Sequence, residues 1–193
     1  MGKTKDHPFL LIFFIFLIVG CATQIAEQIP PSFQEKCNPP VWNDGDSWKF
    51  IGDSCQQWEE IIVKKDNKLD VSQSPRKQFY GFFNVPFVGL KIFPLQVGRR
   101  FEGAETLHTI EGMRLQYFYS FKVVGITNVK VAAGTFKCYK IEFKVSPSIS
   151  SEEGIGYFYY APETKSIVKF ETKSLLLAKW ENYELSSFTL KEK

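Results

Sequence analysis

The chain is predicted to be mainly β, a curved antiparallel sheet (half-barrel or barrel meander) with at most one or two short helices. Three observations lead there. From Trp48 onward, apolar residues recur with period two far more often than with period 3.6. Two compact turn signals, Ala132-Ala133-Gly134-Thr135 and Pro162-Glu163-Thr164-Lys165, separate such stretches; Gly134 supplies positive φ and Pro162 is preset for a first corner position. Room for a helix exists only near Cys55–Lys65 or Thr172–Glu181, and neither carries clear caps. With 44% hydrophobic residues the chain has ample material for a core, which excludes global disorder.

In chain order, the alternation marks strands at Ser47–Ile51, Trp58–Lys64 and Val97–Glu102. Leu115–Val123 places Leu115, Tyr117, Tyr119, Phe121 and Val123 on one apolar face, and Ile126–Val131 follows. In Phe136–Val145, Tyr139, Ile141, Phe143 and Val145 oppose Lys140, Glu142 and Lys144. Cys138 falls on the latter, polar side. Ile155–Ala161, Ile167–Thr172 and Ala178–Leu190 complete the set. Gly154–Ala161 is apolar on both faces, so both must be covered. Phe79–Pro94 is strongly apolar yet broken by Gly81, Pro86, Gly89 and Pro94; it reads either as closing the core or as a lid over the sheet.

The first 40 residues have a different character. Lys3 and Lys5 precede an unbroken apolar run of 11 residues, Phe9–Val19. A bilayer span takes about 20 such residues, so the run has the length of a signal peptide core. Ile18-Val19-Gly20-Cys21 then resembles the bacterial lipoprotein signal, in which the cysteine is acylated, by palmitate among other chains, and becomes the mature N-terminus. Residues 1–20 are therefore read as a lipoprotein signal peptide and Cys21 as the lipidation site. Each buried CH₂ adds about 0.8 kcal/mol of membrane affinity, so several chains on one residue make a stable anchor. Ala22 in place of Asp implies, by the same resemblance, transfer to the outer membrane and a periplasmic location for the domain. Residues 21–40, with Pro30-Pro31 and Pro39-Pro40 and no periodicity, form the lipidated terminus and a tether. A single β-rich domain occupies 41–193.

Export exposes the remaining cysteines to an oxidising compartment. Cys37 with Cys55 is the simplest candidate disulfide, closing a loop that would stabilise the fold by about 3 kcal/mol; Cys138 is an alternative partner for Cys37. Neither a Cys-x-x-Cys nor a Cys/His cluster occurs, so no metal or other cofactor is expected. A net charge of +3 over 193 residues does not suggest a nucleic-acid binder, which needs clustered Lys and Arg on one face.

The second half carries a resemblance. Gly125-Ile-Thr-Asn-Val-Lys-Val-Ala-Ala-Gly-Thr-Phe136 is similar to the Val-x-Val, Ala-Gly-Thr-Phe turn of an uncharacterised bacterial envelope lipoprotein family. The Tyr159-Tyr160-Ala161-Pro162 hairpin, Gly45-Asp46-Ser47-Trp48 and Val97-Gly98 also match its pattern. That family is distantly like the half-barrels of lipoprotein carriers, which implies a curved sheet cupping acyl chains, an analogy of fold that does not fix function.

No enzymatic arrangement emerges. The single histidine after the signal peptide, His108, reads as a solvated loop residue, and no Gly-x-Ser-x-Gly accompanies it. Glu59-Glu60 and Glu152-Glu153 put adjacent strand residues on opposite faces and read as solvated charges. Lys64-Lys65 and Arg99-Arg100 are basic pairs suited to anionic headgroups or simply to solvent. The expectation is a non-catalytic, membrane-anchored envelope lipoprotein. A lipid or other apolar ligand would sit in a cavity lined by Tyr117, Tyr119, Phe121, Tyr139, Phe143, Tyr157 and Tyr159; the alternative use of these rings is to fill the barrel. The second expectation is a scaffold or accessory subunit of an envelope complex, and a hydrolase using His108 is the third.

Overall fold

The computed structural model describes residues 36–66, 68–72, 92–108, 114–174 and 182–192. Among these residues nine strands form one antiparallel sheet: β1 (Ser47–Gly52), β2 (Gln57–Lys65), β3 (Lys68–Ser72), β4 (Arg100–His108), β5 (Arg114–Val131), β6 (Gly134–Pro147), β7 (Gly154–Ala161), β8 (Ser166–Thr172) and β9 (Tyr183–Thr189). Their spatial order is β3-β2-β1-β9-β8-β7-β6-β5-β4. Six strands, β4 to β9, follow one another as a meander, and one long-range pairing, β1 on β9, attaches the first three. The two edges, β3 and β4, are consecutive in sequence yet lie eight places apart in the sheet. Among the described residues the sheet is therefore open. Bulges between Lys49 and Phe50, Val123 and Gly125, and Tyr159 and Tyr160 add the local twist that curves it.

Departures from the sequence reading have local causes. Leu115–Val123 and Ile126–Val131 are one 18-residue strand, because the bulge at Val123/Gly125 absorbs the phase change that makes them look separate. β4 begins at Arg100 and not at Val97, since Gly98 (φ 89) turns the chain and Arg99 N–H bonds back to the Gln96 carbonyl. It runs on to His108, so that residue ends a strand and is not in a loop. Cys55–Lys65 contains β2, paired on both sides, and no helix. β3 escapes the alternation rule because a five-residue edge strand offers only Leu69 and Val71 as apolar positions. The signal peptide, Cys21, 22–35, 79–91 and 175–181 lie outside the described residues.

The register sets side chains from eight strands, two of them from β5, into a continuous aromatic row on the inner face: Phe101, Tyr119 with Phe121, Phe143, Phe158, Phe170, Tyr183, Phe50 and Trp58. Successive ring centroids lie 4.7 to 6.3 Å apart in tilted, edge-on and stacked pairs, the spacing at which aromatic pairs add about 0.5–1.5 kcal/mol beyond area burial. Phe50, Phe143 and Phe170 are 1%, 0% and 1% exposed.

Two glycines make room for this row. Gly103 faces Tyr119 and Gly156 faces Phe143 across the ladder. A Cβ on Gly156 would stand 2.8 Å from the Phe170 ring, and one on Gly103 would stand 2.5 Å from that of Tyr119. Overpacking of this kind costs about 1–3 kcal/mol, so Gly156→Ala should lower the urea midpoint accordingly. An unchanged midpoint would mean that the Phe170 ring is free to move aside.

Candidate functional site

The seven residues predicted to line a cavity do not converge. Tyr119, Phe121, Tyr139 and Phe143 are on the inner face and are buried, with Tyr117 half-buried beside them. Tyr157 and Tyr159 are on the outer face, because the β6–β7 register pairs them with Glu142 and Lys140 while Ile141 and Phe143 face Phe158 and Gly156. Both faces of β7 are apolar, as the sequence indicates, and period-two counting alone does not say which one faces the core.

On the outer side Tyr157 and Tyr159 belong to a polar cluster. The Lys140 ammonium sits 4.2 Å from the centre of the Tyr157 ring and 5.7 Å from that of Tyr159, within cation–π range. The Tyr159 hydroxyl donates to Glu171 Oε2 at 2.8 Å, and Lys169 pairs with the other carboxylate oxygen. Burial, then the hydrogen bond to Glu171, pushes the Tyr159 phenol up. For Glu171 burial acts upward, but the Lys169 and Tyr159 hydrogen bonds and the charges of Lys169 and Lys140 outweigh it and hold the carboxyl below its ordinary value. A depressed carboxyl stabilises the fold above its unfolded pKa and loses that contribution as pH falls through the folded value. Tyr159→Phe should therefore move the Glu171 titration upward, read by carboxyl ¹³C NMR; an unmoved titration would show that Lys169 alone sets it.

A second cluster joins two motifs singled out in the sequence. Asp46, in phase with Trp48 and Phe50, is 0% exposed. Its carboxylate accepts from Asn43 N–H (2.9 Å), Lys191 N–H (2.7 Å) and the Lys165 ammonium (3.2 Å). Trp48 Nε1 donates to the Thr164 carbonyl at 2.7 Å and Trp42 Nε1 to the Lys165 carbonyl at 3.0 Å. Pro162–Thr164 forms a 3-10 turn that ends on Lys165 in the left-handed region (φ 55). The Gly45–Trp48 segment thus clamps the Tyr-Ala-Pro hairpin. Both are structural motifs, and a charged residue in phase with two buried aromatics was the available signal for Asp46.

All three described cysteines are free thiols. Cys37 pairs with Leu95 in an isolated bridge beside the start of β4, whereas Cys55 is exposed in the β1–β2 turn at the opposite end of the strands. The candidate Cys37–Cys55 disulfide is thus not formed. Cys138 keeps the face predicted for it but is 0% exposed, not solvated; the 3-10 turn packs against β6 there. Burial, with Glu163 nearby, pushes its thiol up to about 12. Iodoacetamide should label Cys55 readily and leave Cys138 intact until unfolding; equal labelling in the native protein would contradict this burial.

Glu60 is also buried rather than solvated, facing Trp48 across the ladder. Glu152 and Glu153 are exposed in the β6–β7 turn, where Glu153 pairs with Lys144 at 3.2 Å. A pocket of about 250 Å³ opens where β8 and β9 pair over only two positions, lined by Asp53, Lys169, Asn182 and Glu184 among others. Its polar groups serve the fold: Asn182 donates to Asp53 and accepts from Thr172 N–H, and Glu184 accepts from Ala132 N–H.

No family model matches the chain, and no curated protein matches it. Among solved structures, one described provisionally as a lipoprotein, from Parabacteroides distasonis, is 11% identical, with a TM-score of 0.45 over 81% of this chain and 100% of that one. The hypothetical lipoprotein YmcC of Escherichia coli is 11% identical, with a TM-score of 0.43 over 86% and 94%. A Bacteroides fragilis exported protein, also provisionally described, is 12% identical with a TM-score of 0.36 over 80% and 99%. These are distant likenesses of form, and they assign neither a family nor a function.

Proposed function

We propose that the chain is a non-catalytic envelope lipoprotein, held to a membrane through acylated Cys21, whose β domain serves as an accessory or assembly subunit. The observation that carries the second half of this reading is the packed interior. Of the rings expected to line a ligand cavity, Phe143 is 0% exposed and Tyr119 and Phe121 are 6% and 7% exposed, in contact with one another and with Phe158. Rings that fill a core at this density leave their faces to each other and not to an acyl chain. The anchor rests on the Gly20-Cys21 signal, and the outer membrane and its periplasmic face on Ala22.

Lipid carriage is the second reading, favoured by one observation: among the described residues the sheet is open, with the aromatic row running across eight of its strands. Native mass spectrometry of the mature protein separates the two. An empty monomer, with envelope proteins recovered by crosslinking in cells, supports the accessory subunit. A discrete, extractable lipid adduct not accounted for by acylation overturns it in favour of the carrier.

A further inference from the structure

Antiparallel pairing sends the N-terminal segment, the β2–β3 turn, the β7–β8 turn and the start of β4 to the same end of the sheet. Residues 36–46 run along that end. Cys37 bridges Leu95, Trp42 reaches the Lys165 carbonyl, Asn43 Nδ2 donates to the Lys191 carbonyl, and Asp44 accepts from Lys64 N–H. Their contacts tie both basic pairs noted in the sequence to this one segment. Lys64 and Lys65 are exposed beside Asp44, and Arg99 and Arg100 are exposed a few residues beyond Leu95. Lys36 and Lys191 are exposed there too, and Val41, on the same segment, is 64% exposed. Asp44, Asp66, Glu163 and Glu192 are exposed carboxylates of this end, and Glu102 is exposed two residues past Arg100 on β4. The opposite end exposes Asp53, Glu152 and Glu153 with Arg114 and Lys173 among the described residues.

We infer that the basic end is a docking face for the anionic lipid surface of the membrane that carries the anchor. The inference rests on the anchored reading in one respect, that a membrane is within reach. Fourteen residues lie between Cys21 and Lys36, a stretch that spans at most about 50 Å when fully extended. The anchor therefore joins the domain at its basic end, where Lys and Arg gain from a negatively charged leaflet within a Debye length and an exposed Val suits the headgroup boundary. Arg99 is held in place, its guanidinium donating to the Ile92 and Phe93 carbonyls at 2.7 and 3.1 Å. Lys64, Lys65 and Arg100 are the variable charges, each expected to alter affinity about fivefold.

The full chain, expressed in a two-membrane bacterium and purified as the mature protein, would be placed in nanodiscs of phosphatidylethanolamine with phosphatidylglycerol, or of phosphatidylcholine alone, and followed by hydrogen exchange. The expected result is slower exchange across 41–46, 64–66 and 98–100 in the anionic discs only, removed by high salt. Ser148–Glu153 should be unchanged. The K64E/K65E/R100E variant should lose the difference while keeping native protection in β6, which shows that it folds. Equal exchange in both discs, or protection at the Ser148–Glu153 end, overturns the inference; so does a dependence on an acidic protein and not on lipid. Intact mass reports the anchor independently. A chain without acyl groups on Cys21 removes the anchor, and mixing that chain with free phosphatidylglycerol vesicles still decides the docking face, since protection of the same segments supports it and none overturns it.

Discussion

Replacing Phe143 by Ala is expected to cost about 3–5 kcal/mol of folding stability, a large fraction of the roughly 5–15 kcal/mol that holds a domain together. Its ring is 0% exposed and touches Phe121 at 5.0 Å and Phe158 at 5.8 Å. Gly156, its partner across the ladder, has no side chain to collapse into the space, and the Phe170 ring already covers that glycine. Urea denaturation of Phe143→Ala beside Tyr117→Ala would test this, with the half-buried Tyr117 losing clearly less. A loss below about 1 kcal/mol at Phe143 would mean that the ring lines an open cavity and not a packed core, and would revive the carrier reading. The same measurement therefore bears on function as well as on stability.

Asp46→Ala should be comparably damaging, about 3–5 kcal/mol, the usual cost of removing one partner of a buried ion pair. The change strands two backbone N–H groups, of Asn43 and Lys191, together with an ammonium whose side chain is 24% exposed. Asp46→Asn should lose less, because the amide oxygen still accepts one of those bonds. Beyond the lost free energy, the effect should be local: amide exchange should rise first in the Pro162–Lys165 turn and at the C-terminal end of β9, where the clamp acts. Uniform loss of protection would indicate that the clamp holds the whole sheet together and not one end of it.

The alternation in β5 to β8 made those strands readable because each has at least one apolar face that the backbone keeps on one side of the sheet. It also marked Gly134 and Pro162 as turn residues, which the structure bears out with φ 141 and a 3-10 turn at Pro162–Thr164. The pattern failed where its physical basis was weak. β3 is too short to show a period, β4 has an exposed face and few apolar residues, and the β5 bulge shifts the phase so that one strand looks like two. The candidate site was less legible still. Tyr157 and Tyr159 are as apolar in sequence as Tyr139, yet the register puts them on opposite faces.

By itself, then, the sequence determined the β class, the approximate strands, the two main turns, and the N-terminal signal on which the proposed anchor rests, since all of these are written in neighbours a few residues apart. Tertiary structure alone decided that β1 joins β9, that the edges stay apart, that Asp46 and Glu60 are buried, and that Lys64 shares an end with Arg99. Such facts depend on pairings between residues far apart in sequence, from Cys37 with Leu95 to Asp46 with Lys165 or Ser47 with Thr189. Local periodicity carries no information about which strand lies beside which, because every strand with the same alternation offers the same ladder of N–H and C=O groups.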